Sequence, residues 1–169
     1  NRAEYDKLRK PDGGYGGFDL YLIREEGKDW SEPQNLGSTI NTKFDEVTPF
    51  MHSDEQTLFF SSDGHNSMGG FDVFETATRY AMEWKQPKNL GYPVNSTYDD
   101  LYFVQQADGK YGYLSSDRVE NRSVGNLDII SIFIPQKKNP LAMVRGKITV
   151  EREGKRVPVK LKVFEKITG

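Results

Sequence analysis

The chain has 169 residues, a formal net charge of -2 at pH 7, no cysteine and an aromatic fraction of 12%. The balanced charge removes the usual basis for nucleic-acid binding, which needs a surplus of basic residues, and the lack of cysteine excludes disulfides and thiol chemistry. No run of about 18 apolar residues occurs, so the sequence predicts no membrane-spanning segment.

An internal repeat organises the chain. The stretch 30–63 is nearly repeated at 84–117, at a constant offset of about 54 residues. A Gly-Gly-Phe-Asp marker precedes each copy and returns a third time in the looser form Gly-Asn-Leu-Asp. The signature residues of the repeat are Trp30, Trp84, Asp63 and Asp117, together with the marker residues Asp19, Asp72 and Asp128. Units of this length, with several short strand-like runs each, are typical of four-stranded propeller blades.

The first unit begins partway through a blade. After the marker, 18–24 is predicted to be a strand and 25–28 its hairpin turn. The following stretch 30–36 is predicted to be an outer strand, because proline is tolerated at sheet edges and Pro33 lies within it.

The second unit contains all four strands of a blade. A turn at 53–56 separates the first two predicted strands. The predicted strands are 47–52, 57–61, 71–76 and 84–90.

The third unit contains three predicted strands, 101–105, 111–115 and 127–134, with a hairpin turn at Asp108-Gly109. Its missing fourth strand is expected to come from a segment before Asn1, because propellers close by completing the last blade in this way. The alternative is that the segment 143–150 supplies that strand.

Three regions are therefore predicted. Residues 1–135 are expected to form about two and a half blades of a partial β-propeller, and 136–141 to form a proline-flanked linker. Residues 142–169 alternate apolar and polar residues around a turn, which predicts a hairpin at the start of a second domain. The predicted fold class is all-β throughout.

The motifs resemble a known family. The Ser-Ser-Asp ending, the Gly-Gly-Phe-Asp-Leu-Tyr marker and the strand Trp-Ser-Glu-Pro-Gln-Asn-Leu-Gly at 30–37 are similar to TolB-type propeller repeats of Bacteroidetes OmpA-family envelope proteins. The segment 144–165 resembles the start of a carboxypeptidase regulatory-like domain, which implies that 142–169 is the first hairpin of a β-sandwich. This order is similar to that of the PorE-like proteins of the type IX secretion system, in which an OmpA-like peptidoglycan-binding domain follows.

The repeated aspartates of the marker have a structural interpretation. Asp19, Asp72 and Asp128 follow glycine-rich turns, so their carboxylates are predicted to accept backbone N–H groups and to fix the start of the third strand. A calcium site is the alternative, but calcium needs several oxygen ligands close together. Trp30 and Trp84 are predicted to pack between neighbouring blades rather than to stack on sugars.

The other polar candidates also favour a structural reading. The pairs Asp45-Glu46 and Asp99-Asp100 could suggest a glycosidase, but they repeat at one position and are interpreted as connections between blades. His52 and His65 have no recurring partner that would indicate zinc or a catalytic triad. No catalytic, cofactor-binding or metal-binding residue is therefore predicted, and no cofactor.

One enzymatic alternative comes from 27–33, which looks like the end of a sialidase Asp-box. That motif also needs a Ser or Thr where this chain has Ile23 and an Asp where it has Glu25. The second unit departs further, with Arg79 and Ala81 at motif positions. A non-catalytic propeller attached to a peptidase is a second alternative.

The resemblance implies a non-enzymatic protein-interaction scaffold of the bacterial cell envelope. The expected location is the periplasm, in association with the outer membrane. The expected partners are other envelope or secretion-system proteins, with peptidoglycan held through a domain that is not in this chain.

Overall fold

The computed structural model describes residues 14–78, 83–119 and 125–134. The regular elements in these ranges are eleven β-strands, so the predicted all-β class is confirmed. The strands form four small antiparallel sheets. Within the described ranges, no helix is long and apolar enough to cross a membrane. Three repeat units are used below: unit 1 (14–41), unit 2 (42–95) and unit 3 (96–134).

Unit 1 is built from four two-residue strands. They are β1 (Tyr21–Leu22), β2 (Glu25–Glu26), β3 (Asp29–Trp30) and β4 (Gln34–Asn35). Strand β1 pairs with β4, and β2 pairs with β3 around a turn in which Gly27 has a φ of 71°. The long strands predicted at 18–24 and 30–36 are thus interrupted. Pro33 lies between β3 and β4 in the chain and has no backbone N–H with which one continuous strand could keep its hydrogen bonds there.

Unit 2 contains the four-stranded sheet that the sequence predicts. Its strands lie in the order β5-β6-β7-β8, and an isolated bridge between Thr78 and Trp84 extends the contact between the last two. The strands are β5 (Glu46–Met51), β6 (Thr57–Ser62), β7 (Asp72–Ala77) and β8 (Lys88–Asn89).

Unit 3 contains three strands, β9 (Asp100–Gln105), β10 (Tyr111–Ser116) and β11 (Asp128–Phe133), in the order β11-β10-β9. Within the described ranges, β11 pairs with β10 and with no second strand. The predicted linker 136–141 and hairpin 142–169 lie outside these residues, as does the segment 143–150 that was the alternative fourth strand.

The units have the same strand register. Tyr21 pairs with Asn35 in unit 1, and Phe74 pairs with Asn89 in unit 2. The first strands of units 2 and 3 also share a bulge, where Thr48 has a φ of 49° and Tyr102 a φ of 56°. Backbone geometry therefore repeats along with the sequence, including a left-handed backbone conformation that residues other than glycine rarely adopt.

Two apolar cores lie between the three units, one at each interface. The first core lies between units 1 and 2, and the second core lies between units 2 and 3. The middle sheet contributes to both, because Phe60 faces the first core and its neighbour Phe59 faces the second. The buried residues of the first core are Leu20, Leu36, Ile40, Leu58, Phe60 and Phe74. Those of the second are Phe59, Val73, Val94, Phe103, Leu114 and Ile132.

Burial on both faces explains the sequence of β6. Five of its six residues are buried, and alternate side chains point to opposite faces of a sheet. A strand between two cores therefore needs apolar side chains at consecutive positions. Full burial of a side chain such as Phe60, which is 1% exposed, contributes about 1.5–3 kcal/mol. The described sheets stack in chain order without closing into a ring, so the propeller stays a prediction.

Candidate functional site

Repeated polar residues hold each unit together from within. Asn95 is fully buried and bonds to both backbone groups of Val73, accepting from the N–H at 2.8 Å and donating to the carbonyl at 2.8 Å. Asn41 makes the same pair of bonds with Leu20. Each buried amide thus fixes the backbone near the start of β1 or β7, where the same carbonyl also accepts an N–H from the residue after β4 or β8.

The marker aspartates belong to the same network. Asp19 Oδ2 accepts hydrogen bonds from the Tyr15 N–H at 2.7 Å and from the Asn35 amide at 3.2 Å. Asp72 Oδ2 accepts the corresponding bonds from the Met68 N–H and the Asn89 amide. Both carboxylates therefore bind backbone N–H groups of the preceding turn and also anchor the fourth strand.

The acidic pairs connect one unit to the next. Phe18 N–H donates to Asp45 Oδ1 at 2.6 Å, and Phe71 N–H donates to Asp99 Oδ1 at 2.9 Å. In the other direction, Glu46 N–H donates to the Phe18 carbonyl at 2.7 Å. We call this contact between a Gly-Gly-Phe-Asp marker and the acidic pair of the next unit the inter-unit joint.

The aspartate of each Ser-Ser-Asp ending binds the backbone of the acidic pair in a joint. Asp63 Oδ1 accepts the Asp45 N–H at 2.9 Å, and Asp117 Oδ1 accepts the Asp99 N–H at 2.8 Å. The signature aspartates are therefore engaged with backbone groups that the joint must hold in place. This engagement explains why Asp63 and Asp117 repeat at the same offset as the rest of the unit.

The two glycines of the marker lie against the next unit. A Cβ added to Gly69 would lie 2.5 Å from the backbone carbon of Thr97, and one added to Gly70 would lie 2.0 Å from Asp99 Oδ1. Gly16 and Gly17 have the same neighbours one unit earlier, in Lys43 and Asp45. Steric contact, rather than backbone conformation, therefore requires glycine at these positions.

The two joints differ in charge. In the second joint, Arg118 Nη2 lies 2.5 Å from Asp100 Oδ1, and both side chains are buried, at 8% and 0% exposure. Arg118 also donates to the carbonyls of Pro93 at 3.0 Å and Val94 at 2.6 Å. The second joint therefore contains a buried ion pair whose cation has further hydrogen-bond acceptors.

The first joint replaces this ion pair with neutral donors. Glu46, at 1% exposure, accepts bonds from the Ser62 and Thr42 hydroxyls, each at 2.8 Å. His65 Nε2 lies 2.8 Å from the Ile40 carbonyl, which is the counterpart of the Val94 carbonyl. His65 thus takes the position that one arm of Arg118 takes in the next unit, and its ring packs against Phe60 and Phe74.

The two tryptophans occupy equivalent register positions but different environments. Trp30 pairs with Glu25, and Trp84 bridges to Thr78. Trp84 is half-buried against the first core, between units 1 and 2. Trp30 is 65% exposed, and residues 1–13, which precede its unit, lie outside the described ranges.

His52 and Asp54 form a local pair at the first hairpin of unit 2. Burial alone raises the pKa of Asp54, but hydrogen bonds from the backbone of Gln56 and Thr57, from the Thr57 hydroxyl, and the nearby His52 together lower it below its usual value. The three hydrogen bonds measure 2.7–2.9 Å. The carboxylate therefore stabilises the turn in its ionised form.

Asp54→Ala is expected to show a pH-dependent loss of stability. Because the pKa of Asp54 is lower in the folded state than the unfolded value of about 3.9, its contribution is complete above that value and is lost as pH falls through the folded pKa. Urea unfolding from pH 7 down to pH 3 should show the difference between the two proteins shrinking below about pH 4. Asp108→Ala, at the counterpart turn, is the control, since Asp108 is more exposed. A difference that is constant with pH would contradict the assignment.

Metal binding needs several ligand side chains close together. The described part of the chain contains no group of three or more His, Asp or Glu side chains that could hold a metal ion. Asp19 Oδ1 and Asp72 Oδ1 are buried and accept no hydrogen bond from the described residues. One unpartnered oxygen at each position is far from the roughly six to eight oxygen ligands that calcium takes.

An apolar cavity of about 230 Å³ lies between the sheets of units 2 and 3. Its walls include Phe59, Val94, Phe103 and Ile132, which belong to the second core. The sequence pattern contains no signal for this cavity, because its walls come from strands that are distant in the chain.

One face of unit 3 exposes large apolar side chains. Tyr111 and Phe133 form an edge-to-face pair there, with ring centroids 5.5 Å apart, and Ile129 is 82% exposed. Ile129 is the counterpart of Val73, which is fully buried under unit 3. The outer face of unit 3 thus corresponds to a face that is covered in unit 2.

Comparison with protein-family models, curated proteins and solved structures found no match to this chain. The family resemblance therefore stays a prediction from the sequence motifs.

Proposed function

We propose that the chain is part of a β-propeller that serves as a non-enzymatic protein-interaction scaffold in the bacterial cell envelope. The propeller is supported by the shared strand register of the units and by the two cores that stack their sheets in chain order. The TolB-type motifs support a periplasmic location in association with the outer membrane. The partners we propose are envelope or secretion-system proteins, and peptidoglycan is reached through a separate domain.

One observation carries the non-enzymatic assignment. The repeated acidic pairs, which could suggest a glycosidase from the sequence, take part in contacts between and within the units. Asp45 and Asp99 each accept a marker N–H, while Asp100 is buried against Arg118. Carboxylates held in this way already serve as acceptors in the contacts between units, which supports a structural role.

The exposed face of unit 3 supports the propeller, because it matches the face of unit 2 that unit 3 covers, and a further blade would cover it in the same way. Contiguous exposed apolar side chains on a soluble domain mark interaction surfaces, and aromatic residues are enriched in the centres of such surfaces. The strand register places Val104, at 41% exposure, on the same face as Tyr111 and Ile129.

Site-specific photo-crosslinking in cells tests the proposal. A crosslinker at Tyr92 of the full-length protein, which is 83% exposed in a turn, is expected to capture outer-membrane-associated envelope proteins, whereas one at the exposed Glu26 of unit 1 is the control. Recovery of cytosolic partners alone would refute the envelope scaffold. Turnover of a sialoside by the purified chain would instead favour the sialidase-type alternative.

A further inference from the structure

The loops at one end of the units expose large apolar side chains. This end, which we call the joint face, carries the markers, the acidic pairs and the turns between units. Its surface is continuous from unit to unit, because the Gly17 N–H donates to the Phe44 carbonyl at 3.1 Å and the Phe71 N–H donates to Asp99 Oδ1 at 2.9 Å. The loops of the joint face are 14–19, 36–46, 62–72, 90–100 and 116–119. Its large apolar side chains include Tyr15, Phe44, Met68, Tyr92 and Tyr98, which are 42–83% exposed.

Two of these aromatic rings have equivalent positions one unit apart. Phe44 and Tyr98 each lie directly before an acidic pair, and each donates its backbone N–H to the hydroxyl two residues earlier, that of Thr42 at 3.1 Å and that of Ser96 at 3.2 Å. The turn therefore fixes the ring at the surface, where it is 44% exposed in one unit and 42% in the other. Neither ring belongs to an apolar core, so core packing does not account for an aromatic residue at this position.

The Phe44 ring already has a cation over it. Lys43 Nζ lies 5.1 Å from the ring centroid, within the distance of about 6 Å over which a cation is attracted to an aromatic face. The counterpart of Lys43 in the next unit is Thr97, which carries no charge. The chain therefore supplies a cation to the ring in the first joint, whereas the same position in the second joint supplies none to Tyr98.

The joint face is acidic. Its loops contain eight Asp or Glu and two Lys or Arg, whereas the whole chain has a net charge of only -2. One of the two cations, Arg118, is buried in its ion pair. Asp99 follows Tyr98 in the chain, and Asp117 binds the Asp99 N–H; each carboxylate uses one oxygen to accept a backbone N–H, which does not neutralise its charge. A surface of this sign attracts basic partners and disfavours acidic ones.

We propose that the joint face docks a basic segment of a partner protein, and that an arginine or lysine of this segment lies over the Tyr98 ring as Lys43 lies over Phe44. The carboxylates steer the segment to the face, and the exposed aromatic side chains supply the apolar contact that such residues give in the centres of protein interfaces. The inference deepens the scaffold proposal and rests on it, because it takes the partner to be a protein, but it does not depend on the envelope location.

A fluorescein-labelled peptide of alternating arginine and glycine is the probe. It is titrated with the complete 169-residue chain, and binding is followed by fluorescence anisotropy. A peptide of the same length with glutamine in place of arginine is the neutral control. The arginine peptide is expected to bind at least about tenfold more tightly, and added salt should weaken its binding because exposed charges are screened.

An exchange of residues between the two joints locates the binding. Thr97→Lys, at an exposed residue, gives Tyr98 a cation of its own and is expected to weaken binding of the arginine peptide by about threefold or more. Lys43→Thr frees the Phe44 ring and should strengthen binding by about the same factor. Ser53→Lys is the matched control, because it adds the same charge at an exposed turn at the far end of β5, about 20 Å away and beyond the Debye length at physiological salt. Circular dichroism checks that all three variants retain the β-sheet signal.

Three results would overturn the inference: no binding at millimolar arginine peptide, equal binding of the arginine and glutamine peptides, or equal effects of Thr97→Lys and Ser53→Lys. The two proposals fail separately. If the crosslinker at Tyr92 captures envelope proteins but the arginine peptide does not bind, the basic chemistry of the partner is wrong and the scaffold proposal stands. If the peptide behaves as expected but the crosslinker captures cytosolic proteins alone, the envelope role is wrong and the docking surface stands.

Discussion

Arg118→Met is expected to lower the free energy of unfolding by about 3–5 kcal/mol. The substitution removes the cation from a pair in which Asp100 is fully buried, and it leaves the Val94 carbonyl, 2.6 Å from Nη2, without this donor. A buried charge that loses its counter-ion keeps its desolvation penalty, and the two hydrogen bonds that Asp100 Oδ2 still accepts from Ser96, at 2.6 and 3.0 Å, offset only part of it. Urea unfolding at pH 7 measures the change.

Lys110→Met is the matched control for this prediction. Lys110 and Asp108 also form an ion pair, but their charged atoms are 3.7 Å apart and both side chains are about half exposed, at 54% and 45%. Exposed pairs contribute about 0–1 kcal/mol, so this variant should unfold at nearly the same urea concentration as the parent chain. Similar losses for both variants would show that the Arg118 pair is not buried in solution.

Gly69→Ala is expected to destabilise the chain by about 2–3 kcal/mol, at the upper end of the range for overpacking. The added methyl would lie 2.5 Å from the backbone carbon of Thr97, and a backbone atom cannot move aside as the end of a flexible side chain can. The expected result is separation of the marker from the next unit, with a lower urea midpoint and greater amide exchange at Phe71.

Gly125→Ala provides the comparison, because Gly125 is the first residue of the third marker and no described atom lies within 4 Å of the place that its Cβ would take. Alanine there is expected to change stability by less than about 0.5 kcal/mol. If the two substitutions have the same effect, the glycines are required by backbone conformation and not by the inter-unit joint.

The repeat made much of the fold predictable from the sequence. The offset between Trp30 and Trp84 predicted equal strand positions, and the hairpin signal at Asp108-Gly109 placed the turn between β9 and β10. Alternating and apolar runs predicted the start of each six-residue strand in units 2 and 3 to within one residue. The short β8 and all of unit 1 were predicted less well, because propensity does not show where a ladder is interrupted around a proline such as Pro33.

The candidate site was predicted in part. Repetition of the marker aspartates pointed to a structural role, and repetition of Asn41 at Asn95 could have identified the buried amides as well. Arg118 could not be found in this way, because its counterpart His65 is shifted by one residue and has a different chemistry. In the third marker, Asn126 replaces the second glycine of the pattern. No described atom crowds Gly125, the residue before it, and this difference between the markers can be seen only in three dimensions.

The inter-unit joint makes each unit complementary to a copy of itself. Unit 2 carries an acidic pair at its beginning and a Gly-Gly-Phe-Asp marker before its third strand, and the marker of one unit fits the acidic pair of the next. Duplication of the coding sequence for about 54 residues therefore copies both halves of the contact at once. Recombination can then add or remove units without requiring new interface residues. The buried groups of a joint can still differ from unit to unit, as the Arg118–Asp100 ion pair and the neutral donors to Glu46 do.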